Sequence, residues 1–250
     1  MEEVIKGITA KDSVIVTTSW DDGTITDLKL AELLEKYGVK GTFYIPKFID
    51  NLLPKKDIMA IDRKFEIGAH SVSQPDLTKV SLSEAKRQIE DSKTYLEDLL
   101  GHSIPMFCYP YGRYNEIVKK LVKDAGFIAA RTANPGGFDL PKHPYEWHIT
   151  LIASNNSPLM ALRIWGKLHL WKLSSLLDWE SRAKLLFNLA LQKGGVYHIY
   201  GHSAELERKS EWDKLERVLK YLSNGEGVRY MTNGEVISNL DIVKRGLSNG

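Results

Sequence analysis

Two adjacent carboxylates stand in the run Ser19-Trp20-Asp21-Asp22-Gly23. Consecutive strand side chains point to opposite sides unless the chain turns, and Gly23 permits a turn. One carboxylate can then bind a metal ion while the other takes a proton. The structural alternative is a plain Asp-Gly turn with a helix-capping aspartate.

Three further runs carry similar chemistry. His70-Ser71-Val72-Ser73-Gln74-Pro75 spaces an imidazole and an amide four residues apart, a pair able to chelate one ion, with the amide the poorer ligand. Cys108-Tyr109-Pro110-Tyr111-Gly112-Arg113 leaves a strand for a helix, so backbone N–H groups near Tyr111 can face developing negative charge, and tyrosines there can line a sugar site. Cys108 falls within the strand and reads as a buried small residue. In Gly195-Val196-Tyr197-His198-Ile199-Tyr200-Gly201-His202 the two-residue period puts His198, Tyr200 and His202 on one side. His202 comes last and can reach substrate as a general acid, whereas His198 is deeper and reads as a core residue. His102, His143, His148 and His169 show no ligand spacing.

These runs need elements to hold them. Strands are expected at 13–18, 39–45, 65–70, 106–109, 127–132, 147–152, 196–201 and 228–231. Between them the helical period returns: Leu30, Leu33, Leu34 and Tyr37 before Gly38, and Ala85, Ile89, Ser92, Leu96 and Leu99 behind the capping box Ser81-x-x-Glu84 and before Gly101. Further helices are expected near 115–125, 158–172, 179–192, 211–223 and 234–244. The one long irregular connection is 134–144. Seven or eight βα units predict an α/β fold, an irregular (β/α) barrel of parallel strands in a single domain over 1–250, with an open doubly wound sheet as the alternative. Both architectures gather active sites at the carboxyl ends of strands, where Asp21, Asp22, His70, Tyr111, Arg113, Arg131 and His202 fall.

Composition bounds the rest. The 250 residues carry 34 basic and 32 acidic side chains for a net charge of +2, so a one-sided field for nucleic acid is not expected. Arg163 and Lys167 interrupt the most apolar stretch, 158–173, short of the ~20 residues of a membrane span. The single cysteine excludes an internal disulfide, and the opening MEEVIKGITAKD has no apolar run of a signal peptide, so a cytosolic location is expected. Three of the six tryptophans fall in 158–179, a core segment, a contact in a homo-oligomer, or a lid over an apolar substrate.

In this order the motifs resemble the polysaccharide deacetylase family with its NodB-type domain, the fourth carbohydrate esterase family. Its T-x-D-D-G resembles 19–23 here, which implies Asp21 as base and Asp22 as metal ligand. Its H-[ST]-x-x-H-P resembles 70–75, keeping His70 and placing Gln74 where the family has a second histidine. Its R-x-P-Y-G resembles 108–112, with Tyr111 the residue whose N–H binds the oxyanion and Cys108 in place of the arginine. Arg131 or Arg113 is the expected substitute for that charge. Its last motif, a strand ending in L-x-H, resembles 199–202, which implies His202 as acid. The resemblance implies a NodB-like barrel and metal-assisted hydrolysis of an N-acetyl group on an amino sugar or sugar conjugate. The cofactor expected is one weakly held divalent ion, zinc or else cobalt, nickel or manganese, on Asp22, His70 and Gln74. Trp20, Tyr109 and Arg113 are expected to touch substrate. Two alternatives keep the fold: an allantoinase-like cyclic amide hydrolase without metal, and a sugar-binding protein without catalysis.

Overall fold

The computed structural model describes residues 14–135, 137–140, 143–168 and 178–239. Strands and helices alternate: β1 (Val14–Asp21), α1 (Asp27–Lys36), β2 (Gly41–Ile45), α2 (Lys55–Asp62), β3 (Glu66–Ala69), α3 (Leu82–Leu100), β4 (Met106–Cys108), α4 (Glu116–Asp124) and β5 (Ala129–Pro135). There follow β6 (Trp147–Ile149), β7 (Leu151–Ile152), α5 (Pro158–Leu168), α6 (Trp179–Lys193), β8 (Gly195–Gly201), α7 (Ser203–Arg208), α8 (Trp212–Leu222) and β9 (Val228–Tyr230). Residues 233–239 are helical as well. No helix among the described residues is long and apolar enough to cross a membrane.

The strands run in the order β6-β5-β4-β3-β2-β1-β8-β7, all pairs parallel. Only Thr150 separates β6 from β7, so one run pairs β5 at its start and β8 at its end, which nearly closes the ring into the expected barrel. Thr150 makes the change of partner possible: its N–H donates to His198 O at 2.9 Å and its hydroxyl to Gly137 O at 2.8 Å. β8 follows one edge of β1 from Val14 to Trp20. On the other edge β9 takes Val14 to Val16 and β2 takes Thr18 to Asp21.

Alternation along the strands sorts side chains into two layers. Val14, Val16, Trp20, Phe43, Ile45, Phe107, Tyr109, Tyr197 and Ile199 face outward into the apolar layer shared with the helices. Ile15, Tyr44, Met106, Cys108, Ala129, Trp147 and Val196 fill the interior, where Val236 and Ile237 of the 233–239 helix join them.

The helices form where their sequence signals stand. Ser81 accepts from Glu84 N at 3.2 Å, and α3 ends at Gly101 with φ 76° after burying Ala85, Ile89, Ser92 and Leu96. Asn115 caps α4 in the same way, accepting from Val118 N at 2.9 Å. Helices α2 and α7 were not expected. The expected strand 127–132 starts at Ala129 and runs to Pro135, into the stretch read as irregular. Residues 1–13, 169–177 and 240–250, with His169, Trp171 and part of the 234–244 helix among them, lie outside the described residues.

Candidate active site at the carboxyl ends of the strands

Asp21 is the last inward side chain of β1 and is buried. Its partner comes from β5. Arg131, fully buried, pairs in register with Cys108 of β4 and donates from Nη2 both to Asp21 Oδ1 and, at 2.8 Å, to Cys108 Sγ. The Cys108 thiol in turn donates to Asp21 Oδ2 at 3.5 Å. Burial pushes the Asp21 carboxyl up, but Arg131, helped by His70 and His202, outweighs it and holds the group below the usual range. Burial likewise pushes the Cys108 thiol well up, so it stays protonated. Of the two arginines expected to replace the family's own, Arg131 reaches Asp21. Arg113 instead pairs with Asp76 at 2.7 Å on the rim.

Asp22 lies past the strand in the left-handed region, φ 83°, with Gly23 following at 61°. The turn swings its carboxylate to the same side as Asp21. His70 Nε2 then stands 3.8 Å from Asp21 Oδ2 and 3.9 Å from Asp22 Oδ1, and His202 Nε2 stands 4.0 Å from Asp22 Oδ2. His70 Nδ1 lies 3.0 Å from Cys108 O, a group that only accepts, so Nδ1 carries a proton and Nε2 is the ring nitrogen that faces the carboxylates. Gln74, also left-handed at φ 54°, donates from Nε2 to Asp22 Oδ1 at 2.7 Å.

The donors fit a divalent ion. Bonds of roughly 2.0–2.2 Å from imidazole and carboxylate allow one ion between groups spaced as His70 and Asp22 are. Gln74 touches Asp22 and offers a third, weaker ligand once its amide turns its oxygen inward. Asp21, His70 and Cys108 also bring ligand atoms within 4.8 Å of one another. Arg131 already occupies Asp21, and the thiol is protonated, so His70 is the free donor of that trio.

The 70–75 loop has a support that sequence reading missed. Gln88, buried on α3, accepts from Val72 N at 3.0 Å and Ser73 N at 2.9 Å. A buried glutamine on an apolar helix face was the available signal.

After β4 the chain makes a one-turn 3-10 helix, Pro110–Gly112, with Tyr111 held at φ 58° and its side chain 69% exposed. Asp22, Ser71 and Tyr111, non-glycine residues in the left-handed region, thus sit just past strand ends, with Gln74 in the same loop as Ser71, a strain typical of functional loops. Arg113 lies 5.6 Å from the Tyr111 ring.

Two expectations are corrected. Trp20 and Tyr109 do not reach the rim, because both have the outward parity of their strands and are fully buried. Trp20 Nε1 donates to Thr18 Oγ1 at 3.0 Å, and Tyr109 stacks on Tyr114 and donates to Tyr145 O at 3.0 Å. His198 is the core residue expected: Ser19 Oγ donates to its Nε2 at 2.8 Å, its Nδ1 donates to His148 O at 3.3 Å, and burial keeps it neutral. His102 bonds Asp62 far from the site, at the amino end of the strands.

The polysaccharide deacetylase family model matches residues 7–130. The peptidoglycan-N-acetylmuramic acid deacetylase PdaC of Bacillus subtilis is 29% identical over 111 residues, 44% of this chain and 24% of that protein. A peptidoglycan-N-acetylglucosamine deacetylase of Bacillus cereus is 27% identical over 115 residues, 45% of this chain and 42% of that protein. The chain thus spans less than half the length of either. Among solved structures, one from Mycobacterium smegmatis shares the fold with a TM-score of 0.66 at 14% identity, over 93% of this chain and 91% of that one. The chitin deacetylase of Colletotrichum lindemuthianum does so with a TM-score of 0.56 at 18% identity, over 88% and 86%. The family model's match over 7–130, just under half of the chain, covers the segments that carry Asp21, Asp22, His70, Gln74 and Tyr111, and the fold follows these solved structures along most of its length.

Proposed function

We propose that the chain is a hydrolase that removes the N-acetyl group of an amino sugar or sugar conjugate. The observation that carries this reading is Asp21: a buried carboxylate kept ionised by Arg131, within 4 Å of the His70 Nε2 that also faces Asp22.

Asp22, His70 and Gln74 would hold the ion. Zinc, or cobalt, nickel or manganese in its place, would supply Lewis acidity toward the amide carbonyl and toward water. Asp21 takes a proton from water as the water oxygen bonds to the acyl carbon. The Tyr111 N–H, presented by the strained turn, donates to the carbonyl oxygen as it gains charge. His202 gives its proton to the nitrogen as the C–N bond breaks, so the products are acetate and a free amine. Tyr111 and Arg113, exposed on the rim, are the side chains for substrate to meet. The names of the relatives make peptidoglycan and chitin fragments the first substrates to try.

One observation favours a second reading. Gln74 already satisfies Asp22 with a hydrogen bond, as a metal-free amide hydrolase of the allantoinase kind would have it. Removing metal separates the two. Stripped protein should lose acetate release from N-acetylglucosamine oligomers and regain it with zinc, and Asp22→Ala or His70→Ala protein should no longer retain the ion. Full activity after stripping favours the second reading. The proposal includes a cytosolic location and permits a homo-oligomer, to be checked by fractionation and by sedimentation.

A further inference from the structure

Tyr200 of β8 touches both halves of the candidate site. Its ring centroid lies 4.0 Å from the Arg131 guanidinium carbon, with the Tyr44 ring at 5.2 Å from the same carbon. The guanidinium held between these rings is the one that clamps Asp21. Its Nε has no hydrogen-bond partner among the described residues, so ring contacts and the bonds of its terminal nitrogens fix its place. The Tyr200 hydroxyl lies 3.2 Å from His202 Nε2, and the two rings meet edge to face at 5.2 Å. Tyr200 is buried, 8% exposed as a whole residue.

We propose that Tyr200 is a positioning residue that joins the acid to the base: its ring seats Arg131 against Asp21, and its hydroxyl fixes the His202 imidazole through Nε2. The proposal rests on the deacetylase reading and adds to it a residue that touches neither water nor acyl group. A phenol has one proton to donate, and neutral Nε2 is the acceptor in reach. The phenol oxygen could also accept from Nε2–H; with the hydroxyl as donor, as proposed, the proton of the neutral His202 ring lies on Nδ1, a tautomer selected by Tyr200. Phenylalanine at this position would keep the stacked ring and lose the orienting bond. Leucine would lose both.

Tyr200→Phe and Tyr200→Leu separate the two contacts. With the reading correct, Tyr200→Phe lowers kcat for acetate release about 10–100-fold, the scale of losing an orienting hydrogen bond, and leaves KM within about twofold. Tyr200→Leu loses at least about tenfold more as Arg131 comes off Asp21. Nitrogen-15 NMR of the histidine rings at alkaline pH, with His202 assigned through His202→Gln, gives a readout free of turnover. Wild type should show the Nδ1–H form at His202, and Tyr200→Phe should shift it toward Nε2–H, with melting temperature and bound metal unchanged. An Nε2–H ring in wild type, or a Tyr200→Phe enzyme with wild-type kcat, overturns the role of the hydroxyl. Equal losses in the Phe and Leu variants overturn the role of the ring. Absence of turnover in wild type with the expected tautomer shift would sink the deacetylase reading and leave the Tyr200–His202 contact standing.

Discussion

At the scale of residues, two neighbouring aspartates acquire different chemistry because the strand ends between them. Asp21 keeps the inward parity of β1 and meets Arg131, whereas Asp22 is the first residue of the turn and meets His70 and Gln74. Removing Arg131 should reverse the state of Asp21. In the native protein its lowered carboxyl favours folding above its unfolded value, and that contribution is lost as pH falls through the folded value. In Arg131→Met, burial is opposed only by His70 and His202 and raises the carboxyl, so stability instead falls as pH rises through the unfolded value toward the raised folded one. The variant should be about 3–5 kcal/mol less stable at neutral pH, and the acidic limb of its kcat/KM profile should move to higher pH. Thermal melts and rate profiles across pH check both. Asp21, Asp22, His70 and His202 were legible because each lies at a strand end, and Gln74 because it stands four residues after His70. Trp20 and Tyr109 were misread as contact residues, although counting in twos back from Asp21 and Cys108 places both outside the barrel. That Arg131 and not Arg113 would meet Asp21 was not legible, since it depends on the β4–β5 register, which no single strand encodes.

At the scale of elements, the turn after β4 depends on a glycine. Gly112 has φ 66°, and a Cβ there would stand 2.7 Å from the backbone nitrogen of Ala133. Both the left-handed backbone and the close approach to β5 exclude a side chain. Gly112→Ala should cost about 1–3 kcal/mol and lower kcat by displacing the Tyr111 N–H, as thermal melts and steady-state rates will show. Helix α3 was readable from its capping box, its apolar spacing and Gly101. Helix α2 was not, because its first turn, Lys55-Lys56-Asp57, follows Pro54 without a side-chain cap. The stretch 147–152 was read as one strand. It divides at Thr150 because two different neighbours hold its ends, a property of ring closure and not of local sequence.

At the scale of the whole molecule, the carboxyl ends of the strands hold the candidate site while a polar network ties off the amino ends. Glu66, at the start of β3, accepts from Gly234 N at 3.0 Å and from Thr42 Oγ1 at 2.6 Å. Asn233 accepts from Thr17 and donates to Tyr44, whose ring in turn faces Arg131. Burial raises the Glu66 carboxyl to about 7, against the hydrogen bonds that favour its ionised form. A raised folded value means that this group stabilises most below its unfolded value of 4.5 and loses that contribution as pH rises toward 7. The melting temperature of wild type relative to Glu66→Gln should therefore fall between pH 5 and 8, and a constant difference would contradict it. The central claim, that Asp21 serves as base in an N-deacetylation, is tested most directly by quantifying acetate and free amine from N-acetylglucosamine oligomers with zinc-loaded wild type and Asp21→Asn protein. The account predicts equal amounts of acetate and amine from wild type and a rate at least about 10²-fold lower in the variant, with fold and bound metal retained. Near-normal acetate release by Asp21→Asn would contradict it.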